Sequence, residues 1–239
     1  MGVALVALEF DAQDPGRLAG FWAAVLGRRP DATGTRLPGL AGADFEVRFI
    51  PTSRAKSGLH RMHFDLTSDS EDDQRRRVEL ASSLGGRHRD VGQRGDEGHV
   101  VLADPEDNEF CVIEAGNRFL ATTARIGALA SDGMPEVGYF WSRALEWPLV
   151  WDENQETAIQ SPRGGTKLTW GGPPVRPKTE RNRLRWVLAA ADRTREIERL
   201  CSLGAVMVND LDDRAELADP EGNEFFVEGV VDPDGSPQA

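Results

Sequence analysis

The chain has 239 residues and a net charge of −12 at neutral pH, with 40 acidic against 28 basic side chains. Such an acidic surface repels phosphate backbones and disfavours nucleic-acid partners, and no apolar run of the roughly 18 residues needed for a spanning helix is present. Two cysteines, Cys111 and Cys201, suit neither a zinc knuckle nor a disulfide framework; with no basic leader at the start, a cytoplasmic, reduced protein is expected. Lysine occurs only at 56, 167 and 178, a skew read as coding bias rather than a binding adaptation.

Leu5 to Asp11 reads as a strand with Ala7, Glu9 and Asp11 on one face and Leu8 and Phe10 on the other. Asp14-Pro15 then starts a helix as N-cap and first helical residue. Leu18, Phe21, Trp22, Val25 and Leu26 give it one apolar face, and Gly27 stops it. Asp44 to Ile50 alternates as a half-buried strand. After a polar connector, His60 to Leu66 begins a second unit, in which His63 and Asp65 share a face and His60 is out of phase with them. Ser70 caps a helix ending near Leu84-Gly85, and His99 to Leu102 leads into Ala103-Asp104-Pro105-Glu106-Asp107-Asn108-Glu109-Phe110-Cys111-Val112.

That last segment returns as Ala218-Asp219-Pro220-Glu221-Gly222-Asn223-Glu224-Phe225-Phe226-Val227, so the chain is a duplication. Asp then Pro presets a turn whose fourth position favours positive φ, supplied by Gly222 in one copy and less readily by Asp107 in the other. Phe140-Trp141 repeats Phe21-Trp22, and Asn182 to Leu188 repeats His60 to Leu66. The organisation expected is α+β: two tandem domains at 1–117 and 122–230, each of two βαβββ modules, and a flexible tail at 231–239.

The Asp14-Pro15…Phe21-Trp22…Leu26-Gly27 helix, the His60 to Leu66 strand and the two Asp-Pro-Glu-x-Asn-Glu-Phe turns together resemble the vicinal oxygen chelate superfamily. Within it, they resemble the glyoxalase-like and bleomycin-resistance-like tandem-domain proteins. The resemblance implies curled sheets around a cleft and, in some members, a divalent ion held by His, Glu or Gln on the first and last strands of the modules. Carried over, the ligand positions are Ala7, a residue near Glu46 or Arg48, His63 and Cys111 in the first domain. In the second they are Ile126, a residue near Lys167 or Thr169, Arg185 and Phe226. Most of these offer no donor.

Two readings of function follow. In the first, the protein binds an aromatic or drug-like small molecule with no usual metal site and no cofactor. Glu9, Trp22, His99, Arg185, Trp186 and Phe226 are the candidate contacts, with an apolar second cleft, to which Trp151 and Trp170 are also assigned, and Arg185 at its polar end. In the second, the first domain is a metal-dependent lyase, isomerase or dioxygenase, with His63, Asp65 and Glu9 holding Zn, Ni, Mn or Fe, with or without Cys111. A Cys111 nucleophile beside His63 is a third option. His63, Asp65 and Cys111 are the candidate catalytic residues. The recurring Glu109 and Glu224 read as hairpin residues, and the chain is expected either as a monomer whose domains pack like a dimer or as a homodimer.

Overall fold

The structure, a computed structural model, describes residues 2–40 and 44–230; the tail expected at 231–239 lies outside the described residues. Four modules follow one another. The first is β1 (Ala4–Ala12), α1 (Pro15–Leu26), β2 (Arg36–Leu37) and β3 (Glu46–Pro51). The second is β4 (Met62–Leu66), α2 (Glu71–Ser83), β5 (Arg87–His88), β6 (Val100–Ala103) and β7 (Glu109–Val112). β8 (Ile126–Ser131), α3 (Pro135–Leu145), β9 (Leu149–Glu153), β10 (Glu156–Gln160) and β11 (Lys167–Trp170) form the third. The fourth is β12 (Leu184–Ala190), α4 (Arg193–Ser202), β13 (Val206–Asp210), β14 (Arg214–Ala218) and β15 (Glu224–Gly229). Local chemistry sets the helix ends as expected. Asp14 accepts from Arg17 N with Pro15 in the first turn, Gly27 closes α1 in the left-handed region, and Ser70 caps α2 through Asp73 N. Among the described residues no helix is long and apolar enough to cross a membrane.

Within each module the first and last strands run parallel as neighbours (β1 with β3, β4 with β7, β8 with β11, β12 with β15). The first strands of two modules then pair antiparallel. The partners are not the two modules of one repeat. β1 joins β12, so the first and fourth modules make a sheet of order β13-β14-β15-β12-β1-β3-β2, hereafter sheet A. β4 joins β8, so the second and third make sheet B, of order β5-β6-β7-β4-β8-β11-β10-β9. Of the two arrangements open to the repeats, closing a cleft each or packing as a dimer within one chain, the molecule takes the second.

Helices knit each repeat together from the other side. Trp22 on α1 packs edge-on against Phe64 of β4 and Phe110 of β7, both with ring centroids 5.0 Å away. Trp141 on α3 meets Phe225 of β15 at the same distance. These rings belong to one hydrophobic core that runs through both repeats. Removing a buried aromatic of this kind costs about 3–5 kcal/mol.

The duplicated turn ties the pieces together. Asp104 is fully buried and accepts from the Trp22 indole N–H (3.0 Å), the side-chain amide of Asn108 through both carboxylate oxygens, and the backbone N–H of Glu106 and Asn108. Burial pushes its carboxyl up to about 6, and these donors pull the other way. Asp219 repeats the arrangement with Trp141 and Asn223. Glu106 caps the start of α1 through Gln13 N and Asp14 N and pairs with Arg183 at 2.9 Å. Glu221 receives Met134 N ahead of α3 and pairs with Arg61 at 2.8 Å. Glu109 binds Lys56 Nζ (2.6 Å) and His60 N, while Glu224 binds Lys178 Nζ (2.6 Å) and Asn182 N. The two glutamates therefore anchor the connectors between modules rather than the hairpins in which they sit. Asp107 and Gly222 both adopt the positive φ that the turn requires, 74° and 79°.

Candidate functional site

Register across sheet B defines its concave face. One row runs His63, Ala130, Thr169, Ala158, Trp151 from β4 to β9. The next runs Val101, Cys111, Asp65, Ala128, Lys167 from β6 to β11. His63 and Asp65, two residues apart on β4, face the same side; Cys111 is the cross-strand neighbour of Asp65. His63 Nε2 lies 3.5 Å from Asp65 Oδ1, and ligating atoms of His63, Asp65 and Cys111 all fall within 4.8 Å of one another.

Burial opposes a charged His63, but the Asp65 carboxylate and Cys111 outweigh it, and the imidazole pKa is held well above the usual histidine value. Burial pushes the Cys111 thiol up, with His63 pulling it only part of the way back. A thiol kept neutral is a poor nucleophile, so the Cys111 option gains no support.

A cavity of about 180 Å³ opens beside these groups, lined among others by His60, His63, Val101, Glu109, Cys111 and Arg176. His60 enters it although it is out of step with His63 in sequence, because it precedes β4 and is not bound by the strand's alternation. Its side chain is 9 % exposed and neither ring nitrogen has a hydrogen-bond partner among the described residues. Burial, with the nearby Lys56, Arg183 and His63 charges, lowers its pKa to about 3, so it is neutral at physiological pH.

The other half of sheet B sets aromatic rings beside Lys167, Thr169 and Glu156. A second cavity of about 300 Å³ is lined by Phe119, Trp151, Thr157, Thr169, Trp170 and neighbours. Phe119 and Leu120 come from the segment between the repeats. Leu120 seats on the sheet beside Gly127, where a Cβ would lie 2.8 Å from its Cδ1. Lys167 donates to the Phe119 carbonyl and lies 4.3 Å from the centroid of its ring, with burial lowering its pKa.

Sheet A presents the same positions with different contents. Glu9 is flanked across the strands by Arg48 and Arg185. Arg185, 2 % exposed, reaches Asp11 Oδ1 at 2.5 Å and Glu9 Oε2 at 3.4 Å, and Arg214 also pairs with Glu9. Arg48 holds Glu46 (2.6 Å) and Glu228 (2.9 Å). Phe226, packed with Ala7 and Val187, lies under the Arg214 guanidinium at 3.9 Å from the ring centroid. This concave face is closed by its own ion pairs.

Several expected contacts are therefore reassigned. Glu9 is on sheet A and shares no cleft with His63, because the second module pairs with the third and not with the first. Arg185 is committed to Glu9 and Asp11, which removes it as an anion receptor. Phe226 lies beneath Arg214, and Trp22 and Trp186 are core rings 1 % and 3 % exposed. His99, just ahead of β6, is half-buried and does not line the cavity at His63. Ile126 joins the core because a bulge at Gly127, between the Asp65–Ala128 and Leu66–Ile126 pairs, reverses the phase of β8; Ala128 and Ala130 face the cleft instead. Trp151 does line a cleft, that of sheet B, although the sequence places it with Arg185 and Phe226; Trp170 reaches the same cavity only at its edge and is a core ring 3 % exposed.

Comparison with known proteins agrees with this architecture. The chain spans 95 % of its own length and 94 % of a Zea mays glyoxalase I mutant structure at 15 % identity and a TM-score of 0.62. A putative dioxygenase from Bacillus subtilis is similar over 97 % of this chain and 86 % of its own, at 14 % identity and a TM-score of 0.55. No curated protein matches the sequence. The family model for the glyoxalase-like domain matches residues 7–113 and again 128–228, and the chain accordingly belongs to the glyoxalase-like family of the vicinal oxygen chelate superfamily.

Proposed function

We propose that the protein binds a small aromatic or drug-like molecule in the cleft of sheet B without the metal site usual for the fold. The observation that carries this reading is the make-up of the β8 and β11 half of that cleft. Its inward positions are Ala128, Ala130, Lys167 and Thr169, which supply no carboxylate, imidazole or thiolate. What stands beside them is aromatic: Phe119 and Trp151 on a cavity of about 300 Å³, whose edge Glu156 and the core ring Trp170 also reach. That space suits a planar ligand stacked on indole and phenyl rings, with His63 and Asp65 available to fix a polar substituent. Sheet A contributes no competing site, since its inward charges are satisfied by one another. Titrating the tryptophan fluorescence with planar aromatic compounds, with and without chelator, tests the reading. Saturable quenching indifferent to chelator and weakened in Trp151→Ala supports it; quenching abolished by chelator overturns it.

One observation favours a second reading, a metal-dependent enzyme of the lyase, isomerase or dioxygenase type. His63, Asp65 and Cys111 form a nitrogen, oxygen and sulfur set close enough to converge on one ion, leaving a coordination position open. This fits a three-donor site for zinc or a neighbouring divalent metal, though not a four-ligand site shared between modules. A bound ion would polarise an oxygen of the substrate. His63 must first give up the proton that Asp65 favours, and Asp65 would orient or join the set. Stoichiometric uptake of Zn²⁺, Ni²⁺, Mn²⁺ or Fe²⁺ that disappears in His63→Ala would favour this reading over the first.

A further inference from the structure

The two cavities over sheet B stand on one row of inward residues. From β4 to β9 that row is His63, Ala130, Thr169, Ala158 and Trp151, with His63 lining the smaller cavity and Thr169 and Trp151 the larger. Between them the floor is low. Ala130 carries only a methyl group, and His63, Ala130 and Thr169 each keep part of their surface open. Ala128, in the next row, is by contrast packed under Leu120 and wholly buried. Neighbouring strands lie about 4.8 Å apart, so His63 and Thr169, two such steps from one another, are about 10 Å apart along the floor. One aromatic ring resting on Phe119 and Trp151 does not reach across that distance.

The far end of the row sets the chemistry of whatever reaches it. His63 and Asp65 face each other at 3.5 Å, and their side chains are 32 % and 20 % exposed. Neither is saturated by the other, since an imidazole bonds through two nitrogens and a carboxylate accepts about four hydrogen bonds. Charge, however, is already balanced there: His63 faces Asp65, Glu109 holds Lys56, and Arg176 holds Asp132. A charged group arriving at this end would be desolvated without an uncommitted counter-charge. At the other end the exposed Glu156 reaches the aromatic cavity and acts against an anionic ligand, as does the net charge of −12. We propose that the ligand of the sheet B cleft is elongated and two-ended, with an aromatic ring on Phe119 and Trp151 and, across Ala130, an uncharged amide or hydroxyl arm on His63 and Asp65. This ligand class rests on the aromatic-binding reading and adds to it a length and a polarity.

Calorimetric titration of the full chain with 5-phenylpentanamide and with benzamide, both in the presence of chelator, tests this. The long amide joins the two ends through a four-methylene chain and should bind at least about tenfold more tightly than benzamide, because its second contact is intramolecular. Ala130→Leu raises the floor between the ends, and His63→Ala removes a partner of the arm. Each should narrow the advantage of the long amide about fivefold, the size of one hydrogen bond; the second variant serves should the first unfold. A carboxylate or ammonium in place of the amide, on the same chain, should weaken binding about tenfold. If the two amides bind equally, or the advantage survives both variants, the ends are independent and the proposal is overturned while the aromatic-binding reading stands. A charged arm that binds as tightly as the amide overturns the uncharged arm. Failure of both amides to bind also overturns the proposal, and the aromatic-binding reading falls with it only if planar aromatic compounds fail to quench the tryptophans.

Discussion

Sheets A and B place equivalent strands side by side, and their inward positions can be compared one for one. Where sheet A pairs Glu9 with Arg185, sheet B pairs Ala130 with His63; where sheet A pairs Ala7 with Val187, sheet B pairs Ala128 with Asp65. Beside Glu9 stands Arg48, and beside Ala130 stands Thr169. Phe226 under Arg214 corresponds to Cys111 next to His63. In sheet A every large inward charge faces an opposite charge and the face is closed. In sheet B Leu120 covers Ala128 while Ala130 leaves room, and the polar groups lie to one side of it. The same backbone thus yields a charge-filled structural face and an open binding face. The substitutions that decide between them lie at a few first-strand positions.

The largest effect should come from breaking the charge compensation of sheet A. Arg185→Met leaves Asp11 without its shortest partner and Glu9 with Arg214 alone. Removing one member of a buried ionic network costs about 3–5 kcal/mol, which urea denaturation would read directly. Aromatic binding at sheet B should survive in whatever fraction stays folded. A loss of ligand affinity in the folded fraction would show that sheet A is not merely structural.

The reverse experiment carries sheet A's logic into sheet B. Ala130→Glu places a carboxylate directly across from His63, in the position that Glu9 holds opposite Arg185. The imidazolium favoured by Asp65 would pair with it, and the space beside the alanine would fill. Aromatic binding should fall more than about tenfold, as a desolvated charge replaces apolar surface. Trp151→Ala is milder. Trp151 is partly exposed and packs edge-on against Phe119 at 5.9 Å, so its loss should weaken a stacked ligand several-fold, in line with about 0.5–1.5 kcal/mol for an aromatic pair. Calorimetric titration would measure both.

Much of this was legible in the sequence because it is written in local chemistry. Asp14-Pro15 and Gly27 bound α1, the Phe-Trp pairs reveal two buried helices, and the repeated Asp-Pro-Glu turn discloses the duplication. Pairing between modules is another matter. Which first strands join is decided by contacts between residues more than a hundred positions apart, as between Glu9 and Arg185, and no local pattern encodes it. Local pattern alone therefore puts Glu9 with His63, where the fold separates them. The face of Ile126 was lost to one bulge at Gly127, which a strict alternation of two cannot register. The β9–β10 hairpin turns on Asn154 and Gln155, both at positive φ and without a glycine to mark them. His63, Asp65 and Cys111 were found because two of them alternate on one strand and the third ends a recognisable motif. His60 was missed because it lies just outside that strand.

His60 offers the smallest and most specific test of the contrast, since it is a buried polar group that the protein has not paired. Lys56, Arg183 and His63 bear on it and Glu109 lies 3.9 Å away, yet burial dominates and its pKa falls from 6.5 to about 3. As pH drops below 6.5 the unfolded chain takes up a proton at this position while the folded chain does not. Its titration therefore leaves stability untouched above that range and lowers it progressively as pH falls towards 3. His60→Phe removes this liability, so the variant should gain on the parent as the solution is acidified. Between about pH 7 and pH 6 the gain should be roughly 0.7 kcal/mol by proton linkage, read as the pH dependence of the difference in denaturation midpoints in chloride. A difference that stays flat over this interval would mean that His60 is solvated or paired in solution. The distinction between the satisfied charges of sheet A and the unsatisfied polar groups around sheet B would then narrow to His63 and Asp65.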